Sequence, residues 1–130
     1  MARAARAAGY EVIVLTRVVD GGPAIEREGF VLHPIPWKRG STSPLAAIAT
    51  IRAVRALYKS IKADIVHHVA FAPAVLGSIA ALALPVQKLD ALAGLGFVLT
   101  SNTLKARLLR PLSRSLLGFL LTRPGTTVLV

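Results

Sequence analysis

At 130 residues the chain has room for one domain with a real core, since chains near this length bury about two-thirds of their unfolded surface, and a second full domain does not fit. A hydrophobic content of 54% excludes intrinsic disorder, and the absence of cysteine excludes a disulfide framework and a thiolate metal site and fits a cytosolic protein. Sixteen Lys and Arg against six Asp and Glu give a formal charge of +10, which favours anionic partners: nucleic acid, phosphorylated ligands or an acidic membrane surface.

The opening, Ala2 to Ala8, reads as the last turns of a helix with Gly9 as its left-handed stop. It lacks the continuous apolar core and cleavage site of a secretory signal. Tyr10 to Thr16 is β-branched and reads as a strand, followed by a turn at Asp20-Gly21-Gly22-Pro23 and a polar link over Glu26-Arg27-Glu28-Gly29. Phe30 to Ile35 is a second strand, placed at a sheet edge by Pro34 and Pro36. A loop from Trp37 leads to Ser43, which can cap a helix that Pro44 starts and that runs to about Lys62. Along it Ile51, Val54, Leu57, Tyr58 and Ile61 share one face, and Arg52, Arg55, Lys59 and Lys62 another.

Asp64 to Val69 is a short apolar strand with His67 and His68 at its exit, and Pro73 to Leu84 is an alanine-rich helix ended by Pro85. The apolar run from Ala74 to Val86 falls short of the about 20 residues that span a bilayer. Val86 to Leu92 is a further strand, made less apolar by Gln87, Lys88 and Asp90, and Gly94-Leu95-Gly96 follows it. Thr103 to Thr122 is a second amphipathic helix, with Leu108, Leu109, Leu112, Leu116 and Phe119 on one side, Arg107, Arg110 and Arg114 on another, and Pro111 expected to kink or divide it. Thr126 to Val130 opens a last strand.

Strands alternating with helices imply parallel βαβ units, so the fold class is α/β with a Rossmann-like parallel sheet flanked by helices. Ligands of such sheets bind outside the carboxyl ends of the strands, where His67, His68, Gly94, Leu95 and Gly96 fall. Glycines lack a β-carbon, so Gly94-Leu95-Gly96 lets a sugar or phosphate approach backbone amides, although as a lone feature it is equally an ordinary turn. Paired histidines at a strand end are likewise often structural. A three-histidine metal site from His33, His67 and His68 is not expected, because adjacent strand residues face opposite ways. No serine or cysteine nucleophile motif, His-Glu-x-x-His pair or P-loop is present.

The arginine stripe beside a leucine face fits a helix lying in a membrane interface, with Lys105, Arg107, Arg110 and Arg114 as contacts for lipid phosphates. A solvated face over a packed core has the same pattern, but no Asp or Glu follows Asp90. Nucleic acid is not expected, since stacking aromatics are scarce and no recognition motif appears.

Four segments in order resemble the N-terminal domain of family 4 retaining glycosyltransferases, which have the two-domain GT-B fold. They are Ala8-Gly9-Tyr10-Glu11-Val12-Ile13-Val14-Leu15-Thr16, Glu28-Gly29-Phe30-Val31-Leu32-His33-Pro34-Ile35-Pro36, Lys62-Ala63-Asp64-Ile65-Val66-His67 and Ala93-Gly94-Leu95-Gly96-Phe97. The resemblance is strongest to the subgroup that adds hexoses or N-acetylhexosamines to polyprenyl-pyrophosphate-linked saccharides. It implies that residues 1–130 are an acceptor-side domain, lacking the first strand and its glycine-rich loop, with the donor domain and its nucleotide-sugar site absent. It further implies a lipid-linked saccharide acceptor in cell-surface polysaccharide synthesis, no cofactor bound by this domain, a peripheral place on the inner face of the cell membrane, and a chain inactive by itself. His67 matches the family's strand-end histidine. His68 and Val69 depart from its Thr-His, and Ala93 stands where many members carry the histidine that contacts the donor sugar. The alternatives are a non-enzymatic basic module on anionic membrane or nucleic acid, and an inactive gene fragment.

Overall fold

The computed structural model describes residues 1–17, 21–35, 43–92 and 104–129, with the side chains of 105–109 and 113 outside that description. Gly94, Leu95 and Gly96 therefore lie outside the described residues. The architecture is mixed α/β with parallel strands flanked by helices, as the sequence predicts, and it divides into two compact units, Met1–Ala46 and Ala47–Val130.

In the first unit α1 (Ala2–Ala7) leads to β1 (Ile13–Thr16), α2 (Gly22–Arg27) and β2 (Val31–Pro34). The strands pair in parallel from Ile13↔Val31 to Thr16↔Pro34. A tight turn cannot connect parallel neighbours. The Gly21–Gly29 segment, read from sequence as a turn and a polar link, is accordingly a helix. Gly21 precedes it with φ +92, and Pro23 falls in the first turn, where its missing N–H has no intrahelical partner to lose. Both α1 and α2 close with paired backbone bonds to a left-handed glycine: Gly9 N–H to Arg6 O and Tyr10 N–H to Ala5 O, then Gly29 N–H to Glu26 O and Phe30 N–H to Ile25 O. Phe30 is buried beneath the Arg6 guanidinium, 5.8 Å from its ring centre.

The second unit carries β3 (Ile65–Val69), α4 (Phe71–Ala80), β4 (Gln87–Ala91), α5 (Leu104–Leu121) and β5 (Thr126–Leu129), preceded by α3 (Pro44–Ser60), which begins in the last residues of the first unit. The strands lie in the order β3-β4-β5, all parallel, with Ile65↔Gln87 and Lys88↔Thr126 opening the two registers. Burial alternates along β3 and β4, so Val66, His68, Lys88 and Asp90 face the covered side while Ile65, His67 and Val69 face out.

The helices differ from expectation in informative ways. Ser43 accepts the Ala46 N–H at 3.4 Å, as a cap should. Arg55, expected on a solvated face, donates to Ala80 O at 3.0 Å and Leu82 O at 2.5 Å, satisfying carbonyls that the end of α4 leaves unbonded. The start of α4 is Phe71 rather than Pro73, because a proline in the first turn forfeits no intrahelical bond. Ala74, Gly77, Ser78 and Ala80 are its buried residues, and their small size lets the helix sit close on the sheet. Pro111 does not divide α5, which is helical throughout. Among the described side chains of α5, Leu120 is buried at 1% exposure, whereas Leu112 and Phe119, two members of the leucine face read from sequence, are 64% and 51% exposed. No helix among the described residues is long and apolar enough to cross a membrane.

Candidate functional site

The carboxyl end of β3 presents its two histidines to different worlds. His67 is exposed on the outer face. Partial desolvation, reinforced by the adjacent His68 and opposed by Asp90, holds its imidazole below the usual histidine range. A neutral, accessible imidazole at neutral pH can accept a hydrogen bond or a proton from a ligand hydroxyl.

His68 is 6% exposed and belongs to a chain of side chains that crosses the covered face. Its Nδ1 lies 2.5 Å from Asp90 Oδ1, and its Nε2 lies 2.9 Å from the Tyr58 hydroxyl. Ser78 donates its hydroxyl to Asp90 Oδ2 at 3.0 Å. Burial, then the charge of Asp90, pushes the Tyr58 hydroxyl far above the usual tyrosine range, so it stays protonated and able to donate. Tyr58 to Nε2, Nδ1–H to Asp90 and Ser78 to Asp90 is an arrangement in which every member has a partner. Asp90 and Ser78 are both 0% exposed, so a ligand does not reach them and the chain is not a nucleophilic site. It ties α3, β3, α4 and β4 together at one point.

Sequence reasoning singled out His67 and His68 but missed Tyr58, Ser78 and Asp90. A signal was available. Lys88 and Asp90, two apart on a strand, must share a face, and polar residues on the covered face of a sheet need partners. Lys88 is buried and donates to Leu120 O at 3.2 Å, at the closing end of α5 where helix polarity favours a cation. Burial lowers its pKa, against the pull of Asp90. The folded state thus binds this proton more weakly than the unfolded chain. The penalty is complete below the depressed folded value and is relieved as pH rises through the ordinary lysine range. The difference in unfolding free energy between the protein and Lys88→Met is therefore expected to shift in favour of the lysine between about pH 8 and about pH 10. Urea titrations at the two values check this, and an opposite slope contradicts it.

Of the basic candidates, Arg114 is exposed and Arg110 half-buried, while the side chains of Lys105 and Arg107 lie outside the described residues. Exposed Leu104 joins Leu112 and Phe119 on one stripe of α5, their spacings of eight and seven residues being close to two helical turns. The Arg123 guanidinium stacks over Phe119, 4.4 Å from its ring centre. In the first unit a concavity of about 580 Å³ lies among Arg3, Arg6, Ala7, Glu28 and Phe30, and in the second unit one of about 410 Å³ lies at the amino end of β3 and β4, opposite to the His67 end, lined by Tyr58, Lys59, Lys62, Leu84 and Pro85. Arg3 and Glu28 already hold one another at 2.8 and 2.6 Å in the first.

No curated protein matches the chain. A protein-family model described as glycosyl transferase 4-like matches residues 1–123, from α1 through the whole of α5. With nearly the entire length covered and a parallel α/β architecture to accompany it, the chain belongs to the glycosyl transferase 4-like family.

Proposed function

We propose that this domain is the acceptor-side half of a retaining glycosyltransferase that works on a lipid-linked saccharide at an anionic membrane surface. The second domain of the enzyme holds a nucleotide-sugar donor, and a hexose or N-acetylhexosamine passes to the saccharide for cell-surface polysaccharide synthesis. Groups that stabilise the leaving diphosphate belong to that donor domain, where fixed positive charge meets the charge that develops in the transition state. His67, exposed and neutral, offers a hydrogen bond to an acceptor hydroxyl near the β3 exit.

The observation that carries the lipid part of this reading is the face of α5. Leu104, Leu112 and Phe119 are turned to solvent rather than into the core, the Arg123 guanidinium stacks on Phe119, and Arg114 is exposed elsewhere on the same helix. An exposed apolar stripe on a helix that also carries guanidinium groups suits the boundary between acyl chains and lipid phosphates. The net charge of +10 draws the chain to the same surface.

Flotation with phosphatidylglycerol vesicles, with and without a polyprenyl-pyrophosphate-linked saccharide, tests the reading. Binding is expected to strengthen with the saccharide and to persist in high salt. Arg114→Ala should weaken partitioning about fivefold, the equivalent of about 1 kcal/mol for one cation near an anionic leaflet. Binding that ignores the saccharide and vanishes in high salt overturns it in favour of a charge-only module for anionic membrane or nucleic acid.

A further inference from the structure

Between β3 and α4 the chain turns on Ala70, whose φ of 79° and ψ of 162° fall in a backbone region that essentially only glycine occupies. A β-carbon is crowded there. Yet this turn is fully bonded: the Ala70 N–H donates to Ala91 O at 2.9 Å, and the Ala70 carbonyl accepts the Ala74 N–H at 3.0 Å. Something must hold an alanine where its own preference would not put it.

The holding groups lie one rung away. His68 is paired with Asp90, and Val69 with Ala91, so the His68–Asp90 side-chain bond and the Ala70–Ala91 backbone bond are neighbours on the same two strands. Ser78 on α4 bonds the same carboxylate. Gly77 lies so close beneath the His68 ring that a β-carbon there would stand 2.2 Å from Nε2. The end of β3 before Ala70 and the second half of α4 after it are thereby tied to the same carboxylate and ring. We propose that the chain Ser78–Asp90–His68–Tyr58 is a conformational lock that keeps the Ala70 turn in its strained state, and that its loss frees the β3 exit locally while the sheet remains folded.

Without the lock, Ala70 returns to ordinary backbone angles, its bond to Ala91 opens, and the first turn of α4 shifts. His67 stands three residues before that turn on the outer face, so His68 and Asp90 act as positioning residues for whatever binds at the β3 exit. The inference does not depend on sugar transfer, and its failure would leave that reading untouched.

Amide hydrogen exchange of the protein, followed by NMR, separates a lock from a merely stabilising contact. In Asp90→Asn the amides of Ala70 and Ala74 are expected to lose about tenfold more protection than those of Val66 and Leu89, because local opening outruns global unfolding. Adding Ala70→Gly, which removes the strain, should restore most of that selective loss without restoring Val66. A uniform fall across all four amides, or an Ala70→Gly change that leaves Ala70 and Ala74 as exposed as before, overturns the proposal. Should Asp90→Asn not fold, Tyr58→Phe removes only the outer hydrogen bond of the chain and must show the same selective pattern in weaker form. Uniform loss there is equally decisive against it.

Discussion

Asp90→Ala is expected to lower the free energy of unfolding by about 2–6 kcal/mol, the loss when two buried donors are left without their shared acceptor. Asp90 is 0% exposed and accepts from His68 at 2.5 Å and from Ser78 at 3.0 Å. Its removal leaves two donors in an interior that water does not enter, and each unmet donor costs about 1–3 kcal/mol. It also withdraws a negative charge that favours the ammonium of buried Lys88. Domains of this kind hold together by about 5–15 kcal/mol in all, so the loss is a large part of the total. Urea denaturation followed by circular dichroism measures it. A loss below about 1 kcal/mol would mean that the His68 and Ser78 donors find other acceptors and that the chain of bonds is dispensable.

Gly77→Ala is expected to destabilise although helix propensity alone predicts the opposite. Alanine is favoured over glycine inside a helix by about 1 kcal/mol, and Gly77 lies within α4. The added β-carbon, however, would lie 2.2 Å from His68 Nε2 and 2.3 Å from its Cδ2, well inside van der Waals contact. The ring cannot retreat without breaking its bond to Tyr58 or to Asp90. Overpacking of this kind costs about 1–3 kcal/mol, and the broken hydrogen bond adds to it. Gly118→Ala in α5 is the control, because nothing lies within 4 Å of the added carbon. Thermal denaturation should show Gly77→Ala melting several degrees below the protein and Gly118→Ala at or above it. Equal melting points would refute the close approach of Gly77 and His68.

The elements were largely legible because their signals are local. Alanine and arginine before Gly9, β-branched residues from Val12 to Thr16, Ser43-Pro44 ahead of an amphipathic run, and Pro85 behind one each act within a few residues of the boundary they mark. The α2 helix was not legible, since six residues between two glycines carry too little periodicity to distinguish a helix from a link. What made it a helix is the parallel pairing of β1 and β2, a relation between strands that single-residue preferences do not contain.

Composition, periodicity and punctuation in the sequence by themselves determined an α/β chain of parallel strands, a strand exit with His67 and His68, and a basic helix with leucines on one side. They did so because each depends on spacing along the chain. Only the tertiary structure decided which side chains are inside. Two adjacent histidines became an exposed group and a buried one when β3 was covered on one face. Asp90 became the centre of a network because His68, 22 residues away, is its register partner and Ser78, 12 residues away, lies above it. Arg55 became a cap for a helix 25 residues downstream, and among the described side chains of α5 Leu120 is buried while Leu112 and Phe119 face outward. Burial and hydrogen-bond partnership are properties of neighbours in space, and for these residues the neighbours come from other elements.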